Sequence, residues 1–457
     1  MLSYKTKIRR IRFWWHLTFA VFRKYRIRFT LAVLLVVLTT FSVYKTVPYI
    51  FKNNVVTIGY VGVFNLENIP TSVLTLATQP LIATDQRGKP IPALASNWTV
   101  TADGKTYIVF LKDNLKWHDD TPVVASDISI PISNVKITAL NNKAIQFELP
   151  GPIFSFPLAL DKPVFKANTF YGTGQFRIVK VDQINNIVKK ISLAPKSNNL
   201  PRVDIKFYDT EEQAQAALKL GDIKTLNVAN AKNFETWQNL KVKTKEDDSE
   251  IVTIFYDNQD ANLSSKDLRQ ALSFAINRTN MDGTDAYSPI SKNSWAYNET
   301  VKRYDYNIAK AKELLTKSNS ENVHITLSFT KDLEKVANNV KQDWQALGIK
   351  VDLKAEKQLP KQFQALLAVN KLSPDPDQYS LWHSTQKDQN ITNYKNVKID
   401  KILEDARTTQ DEQKRRDLYF DFQRFLVEDC PVTFLYNPNK YAVTYKNTEN
   451  LISKLSM

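Results

Sequence analysis

From Val55 onward, short runs that alternate apolar and polar residues are interleaved with amphipathic stretches, and polar turns separate them. That order predicts a body of the α/β or α+β class. The clearest unit begins at 324–329, where Ile325, Leu327 and Phe329 share one face of an expected strand. Leu333, Val336, Ala337, Val340, Trp344 and Leu347 then fall at helical spacing, Gly348 stands at the expected C′ position, and Ile349, Val351 and Leu353 alternate again. Strand, helix, strand in this order predicts a parallel pair with a right-handed crossover. A second helix is predicted over 265–278, with Ser264 and Asp267 as a capping box and Leu268, Ala271, Leu272, Ala275 and Ile276 as its apolar stripe. A third covers 211–220 and ends at Gly221, and 397–406 with 412–428 predict a helical pair near the end. No repeat of 20–50 residues is apparent.

The amino-terminal part has a different pattern. Residues 29–44 (FTLAVLLVVLTTFSVY) are uncharged and mostly apolar, about 24 Å as a helix against a hydrocarbon core of ~30 Å. Arg28 and Lys45 can snorkel, and 47–51 can lengthen the apolar stretch, so a single transmembrane anchor is expected there. Residues 1–28 carry nine basic side chains and no acid, which keeps this segment in the cytoplasm and places 53–457 outside. Residues 11–22, with Trp14, Trp15 and His16 between basic clusters, suit a helix lying in the membrane interface. A cleaved secretory signal is the alternative reading of the same pattern, though no Ala-x-Ala precedes a cut and no Cys follows for lipid attachment.

Charge then changes the picture less than it first promises. The net charge is +15, and removing the eleven basic side chains of residues 1–52 leaves +4 over the body. The basic excess sits beside the membrane segment, where anionic lipid accounts for it, and nucleic acid is not an expected partner. With 457 residues, 43% hydrophobic and 24% charged, the chain is long enough for several packed cores. Its single Cys, Cys430, excludes an internal disulfide and a thiolate zinc cluster. Ten Gly leave little material for phosphate-cradling loops, and no GxxxxGK[ST], G-x-S-x-G or HExxH stands in the chain. His118-Asp119-Asp120 reads as a polar turn rather than a metal site. No cofactor and no catalytic residues are expected. Asp375 and Asp377, in Pro374-Asp375-Pro376-Asp377, occupy a loop that the prolines stiffen.

Six segments, in order, resemble the family 5 extracellular solute-binding proteins, the peptide and dipeptide receptors of ABC importers. They are 80–123 (PLIATDQRGKPIPALASNWTVTADGKTYIVFLKDNLKWHDDTPV), 171–181 (YGTGQFRIVKV), 257–278 (DNQDANLSSKDLRQALSFAINR), 306–315 (YNIAKAKELL), 373–386 (SPDPDQYSLWHSTQ) and 393–436. The resemblance implies a two-lobed, type II periplasmic-binding-protein fold of the α/β class. The main lobe would comprise 53–79, 171–252 and 432–457, a reduced accessory domain 80–170, and the second lobe 253–431. Lobe crossings would fall at 251–256 and 431–436.

The resemblance also implies a site. Asp375, with Asp377 next, matches the aspartate that pairs with the ligand's α-amino group. Trp295, Tyr379 and Trp382 are candidate cleft aromatics, and Gly172, Thr173 and Gly174 match a G-T-G segment at a lobe edge. Such a protein would act as a monomer that captures oligopeptides and hands them to an ABC permease in the cytoplasmic membrane. The scaffold equally allows a glycan, a nickel chelate or a signalling molecule. Two departures stand out: 128–135 (ISIPISNV) is short and extended where a helix is usual, which implies a trimmed accessory domain, and Phe176 replaces a usual Tyr.

Overall fold

The computed structural model describes residues 13–17, 19–20, 23–24, 34–42, 55–246, 248–279, 281–320 and 322–455. Before residue 55 the described residues are helical and exposed, including 34–42 of the apolar stretch; 29–33 and 43–44 of the expected anchor lie outside the described residues. Among the described residues, no helix is long and apolar enough to cross a membrane.

In the body, twelve strands among the described residues form one mixed sheet. Across one half run Lys350–Glu356, His324–Thr330, Ala365–Lys371 and Glu250–Tyr256; across the other run Thr225–Val228, Val55–Val61, Arg202–Tyr208, Ile187–Pro195 and Phe176–Ile184. The strand Val432–Tyr445 joins them. Its first residues pair with Glu250–Tyr256, from Val432 opposite Phe255 to Tyr436 opposite Val252, while its last pair with Thr225–Val228 and Leu240–Glu246. The runs expected to cross between lobes therefore pair with each other inside one half. The chain changes half just beyond them, between Glu246 and Glu250 and around 437–439.

Strand period explains how the first of these halves is packed. Val252, Ile254 and Tyr256 enter one buried core with Ala365 and Leu367, whereas Ile251, Phe255, Leu366 and Ala368 enter a second core on the opposite face. A sheet buried on both faces needs such continuous apolar runs. Helices Lys266–Phe274, Ile308–Lys317 and Glu334–Ala346 cover the first face, and Val397–Thr408 with Glu412–Asp429 cover the second. The expected strand, helix, strand unit is present, with His324 opposite Lys350 through Thr330 opposite Glu356 in a parallel pair, and Gly348 takes φ +92°.

The helix expected over 265–278 is shorter and starts one residue later. Ser265, not Ser264, is its N-cap and accepts from the Leu268 N–H, while Ser264 belongs to the preceding turn, its N–H and hydroxyl donating to the carbonyls of Asp260 and Ala261. It ends at Phe274: the Asn277 N–H goes to Asp343, and the Arg278 side chain turns to the carbonyls of Tyr304 and Phe434.

Residues 81–164 supply a separate core around Trp117, Tyr107, Phe147 and Phe156. Its four-stranded antiparallel sheet runs in the order Ala95–Val100, Thr106–Leu111, Ala144–Glu148, Lys136–Asn141. After a 3-10 turn at Ala125–Asp127 the chain through 135 forms no helix, and Ile128 bridges Lys166.

Candidate functional site

A cavity of about 500 Å³ lies between this separate core and the loop 373–375. On one side its walls mix apolar residues, Ile132, Val135, Leu149, Ile153, Phe156 and Leu158 among them, with the polar Thr84, Ser133, Asn134, Ser155 and Asp161. Opposite them stand Ser373, Pro374 and Asp375. The turn 85–89 holds the two sides together. One Asp85 carboxylate oxygen accepts from the N–H groups of Arg87 and Lys89, both at 2.8 Å, which curls the chain so that Gly88 takes φ +81°. A Cβ on Gly88 would stand 2.3 Å from the Pro374 carbonyl oxygen, so only glycine fits this approach. Around it the Trp295 N–H donates to the Arg87 carbonyl at 2.9 Å, the Phe154 N–H donates to the Arg407 carbonyl at 3.2 Å, and Lys89 pairs with Glu412 at 2.6 Å.

The two aspartates of the loop differ in what surrounds them. One Asp377 oxygen accepts from the Tyr379 N–H at 3.0 Å, and the other pairs with Arg407 Nε at 2.6 Å. The Arg407 guanidinium lies 4.0 Å from the Tyr379 ring centre, and that ring stacks on His383 at 4.1 Å. Asp377 thus has a fixed cation. Asp375 accepts from the Asp377 N–H at 3.0 Å and makes no ion pair among the described residues. Burial pushes its carboxyl up to about 6, with the charge of Asp377 adding to the effect, against a smaller opposing pull from the Asp377 N–H, Arg415 and Ser155.

The remaining expected residues take other positions. Trp382 is buried in the core, its ring edge-on to Tyr394 at 6.5 Å. Trp295 packs edge-on against Tyr419 at 6.0 Å beneath Arg415, 4.9 Å away. Neither these nor Tyr379 and Asp377 line the 500 Å³ cavity; they form the packing behind Asp375. Gly172 and Gly174 press on the chain at 76–78, where a Cβ would meet the Ala77 oxygen at 2.2 Å and the Leu76 oxygen at 2.7 Å respectively. His118 clamps this loop: its Nδ1 accepts from the Gly172 N–H and its Nε2 donates to the Gly174 carbonyl, both at 3.1 Å. Burial lowers the pKa of His118, in keeping with that neutral tautomer. Thr173 and Gly174 line a different cavity, about 840 Å³, with Gln79, Lys196 and Asn199. The turn at 118–120 is held by Asp119 pairing with Lys166 at 2.7 Å, and no cluster of three metal-ligating side chains exists among the described residues.

Sequence reasoning missed Ser155, Asp161 and the apolar wall of the cavity. The 128–135 segment was legible as helix-free, but not as a wall of this cavity.

Residues 89–130 and 129–393 match the family model described as bacterial extracellular solute-binding proteins, family 5 Middle. The chain belongs to this family. Its members are binding proteins, not enzymes. The oligopeptide-binding protein AppA of Bacillus subtilis is 26% identical over 85% of this chain and 86% of its own. Its solved structure, in complex with a nonapeptide, aligns with a TM-score of 0.67 at 24% identity over 86% of this chain and 94% of that one. The substrate-binding protein CtaP of Listeria monocytogenes aligns at 0.74 with 22% identity and the same coverage. NikZ of Campylobacter jejuni, in complex with Ni(L-His), aligns at 0.70 with 20% identity, again over 86% and 94%. The family 5 fold is thus an α/β fold matching two-lobed periplasmic binding proteins.

Proposed function

We propose that this chain is an extracytoplasmic receptor that captures oligopeptides in the 500 Å³ cavity and delivers them to an ABC permease. The observation that carries this reading is the contrast within Pro374-Asp375-Pro376-Asp377. Asp377 is neutralised by Arg407, while Asp375 lines the cavity without a cation and holds its proton up to about 6. A partly buried carboxylate in that state gains from an incoming ammonium group, through a charge-assisted hydrogen bond worth about 1.5–3 kcal/mol. The α-amino end of a peptide supplies that group whatever its side chains are. Asp377 and Arg407 position the loop, and Tyr379, Trp382 and Trp295 stiffen it from behind.

In this reading the main lobe comprises 53–79, 171–252 and 432–457, the accessory domain 80–170 and the second lobe 253–431, with 250–252 and 432–436 at the seam, since their strands pair within the half of the second lobe. Binding energy drives closure through the contacts of the turn 85–89 with Pro374, Trp295 and Glu412. Residues 29–44 anchor the receptor with 1–28 in the cytoplasm; a carboxy-terminal reporter that partitions into the soluble fraction after export would refute that anchor. The nickel-chelate alternative is weaker here, because the cavity offers carboxylates but no histidine.

The central test is isothermal titration of an octapeptide against the full chain and Asp375→Asn at pH 7.4. The substitution is expected to weaken binding at least ~tenfold, the lower part of the range for losing a charged hydrogen bond. Unchanged affinity would remove the site assignment.

A further inference from the structure

Two features of the cavity bear on which peptides enter it. The first is its charge. Asp375 and Asp161 both line it, neither forms an ion pair among the described residues, and no Lys or Arg is among its lining residues. The other polar side chains of its lining, Thr84, Ser133, Asn134, Ser155 and Ser373, are neutral, so they offer hydrogen bonds but no balancing charge. The second is its size. A compact volume of about 500 Å³ is about 8 Å across, and an extended chain advances about 3.3–3.6 Å per residue, so about two residues fit.

On the reading of Asp375 as the amine anchor, we infer that this cavity rejects carboxylates: it admits the first two residues of a peptide only when the free α-carboxylate stays outside. A dipeptide held by its amino end would bring its own carboxylate inside, beside Asp161, where the lining offers neutral polar groups and no cation to compensate it. Burying an uncompensated anion is strongly unfavourable, and like charge adds to the penalty. A longer peptide leaves its carboxylate in solvent and keeps the amine contact. The same logic disfavours Asp or Glu at the first two positions, and the walls formed by Ile132, Val135, Leu149, Ile153 and Phe156 favour apolar side chains there.

The test compares free acids with their carboxy-terminal amides by isothermal titration calorimetry on the full chain at pH 7.4. Leu-Leu-amide is expected to bind at least ~tenfold more tightly than Leu-Leu, whereas an octapeptide beginning Leu-Leu and its amide agree within about twofold. Asp161→Asn is expected to narrow the dipeptide ratio about threefold, a readout that a loss of folding would not produce. Equal affinity for Leu-Leu and its amide, with Asp375→Asn still weakening the octapeptide, overturns carboxylate rejection and leaves the peptide-receptor reading standing. An octapeptide indifferent to Asp375→Asn overturns that reading, and this inference with it.

Discussion

Two cavities of the body invite comparison. The larger, about 840 Å³, is lined from 72–79, 173–176, 196–200 and Leu455, residues set around one packed core. The smaller, about 500 Å³, is lined from one core on one side and from the loop of another on the other. Of the two, the smaller is the one whose walls belong to two cores. They differ in charge as well: Lys196 borders the larger, and two aspartates border the smaller. On the proposed reading, size alone would select the other one. A receptor that must enclose its ligand and then release it needs a cavity whose walls belong to parts that can separate, and the smaller cavity meets that requirement.

The largest expected effect lies beside the larger cavity and concerns folding. Gly174→Val drives a side chain into the 76–78 backbone, so urea denaturation should show a loss of roughly 2–3 kcal/mol, at the level of overpacking a closed core. A loss under about 0.5 kcal/mol would mean that the loop is free to move, and that glycine serves there for approach to a ligand. The next effect separates the cavities by binding: Lys196→Ala should leave octapeptide affinity within about twofold, against the tenfold loss for Asp375→Asn. A large loss for Lys196→Ala would move the ligand to the other cavity.

Acidity gives a third, several-fold effect. Because Asp375 titrates at about 6 in the folded chain, above the ~3.9 of a free aspartate, its protonated form is the one the unliganded fold favours. The stability it contributes is complete below about pH 4 and is lost as pH rises through about 6. Asp375→Asn should therefore raise the unfolding midpoint of the unliganded protein at pH 7 and leave it unchanged near pH 4. Octapeptide affinity should run the opposite way, falling several-fold from pH 7 to pH 5 as the carboxylate is lost. Calorimetry across that range checks both, and a flat affinity profile would mean that no ammonium sits on this carboxylate. The smallest effect belongs to the turn that joins the two sides: Lys89→Ala removes an exposed pair with Glu412 and should weaken binding about twofold, with the bound ligand's contacts unchanged. An effect above tenfold would make that pair part of the site itself.

How much of this was legible in the sequence follows from how local each signal is. The unit 324–353 could be read because its apolar periods switch from two to 3.6 and back within thirty residues. The helices at 211, 397 and 412 could be read from their stripes and polar caps. The joining of two half-sheets by Val432–Tyr445 could not, because its partners lie up to some two hundred residues away and pairing leaves no local pattern. Asp375 was found through family resemblance, since spacing alone left the Pro-Asp-Pro-Asp loop unremarkable. Its difference from Asp377 depends on Arg407, thirty residues on, and is a property of folding alone. Asp161 and Ser155 sit in a proline-interrupted stretch with no periodicity to mark them.

The strand Val432–Tyr445 has a consequence for how the molecule comes to be made. It fills a middle place of the sheet, yet among the described residues it follows every other strand of that sheet, so a ribosome working from the amino end supplies the keystone after the other stones. Until then each half-sheet has an unpaired inner edge. The two half-sheets can become one only once residues 432–445 have been made.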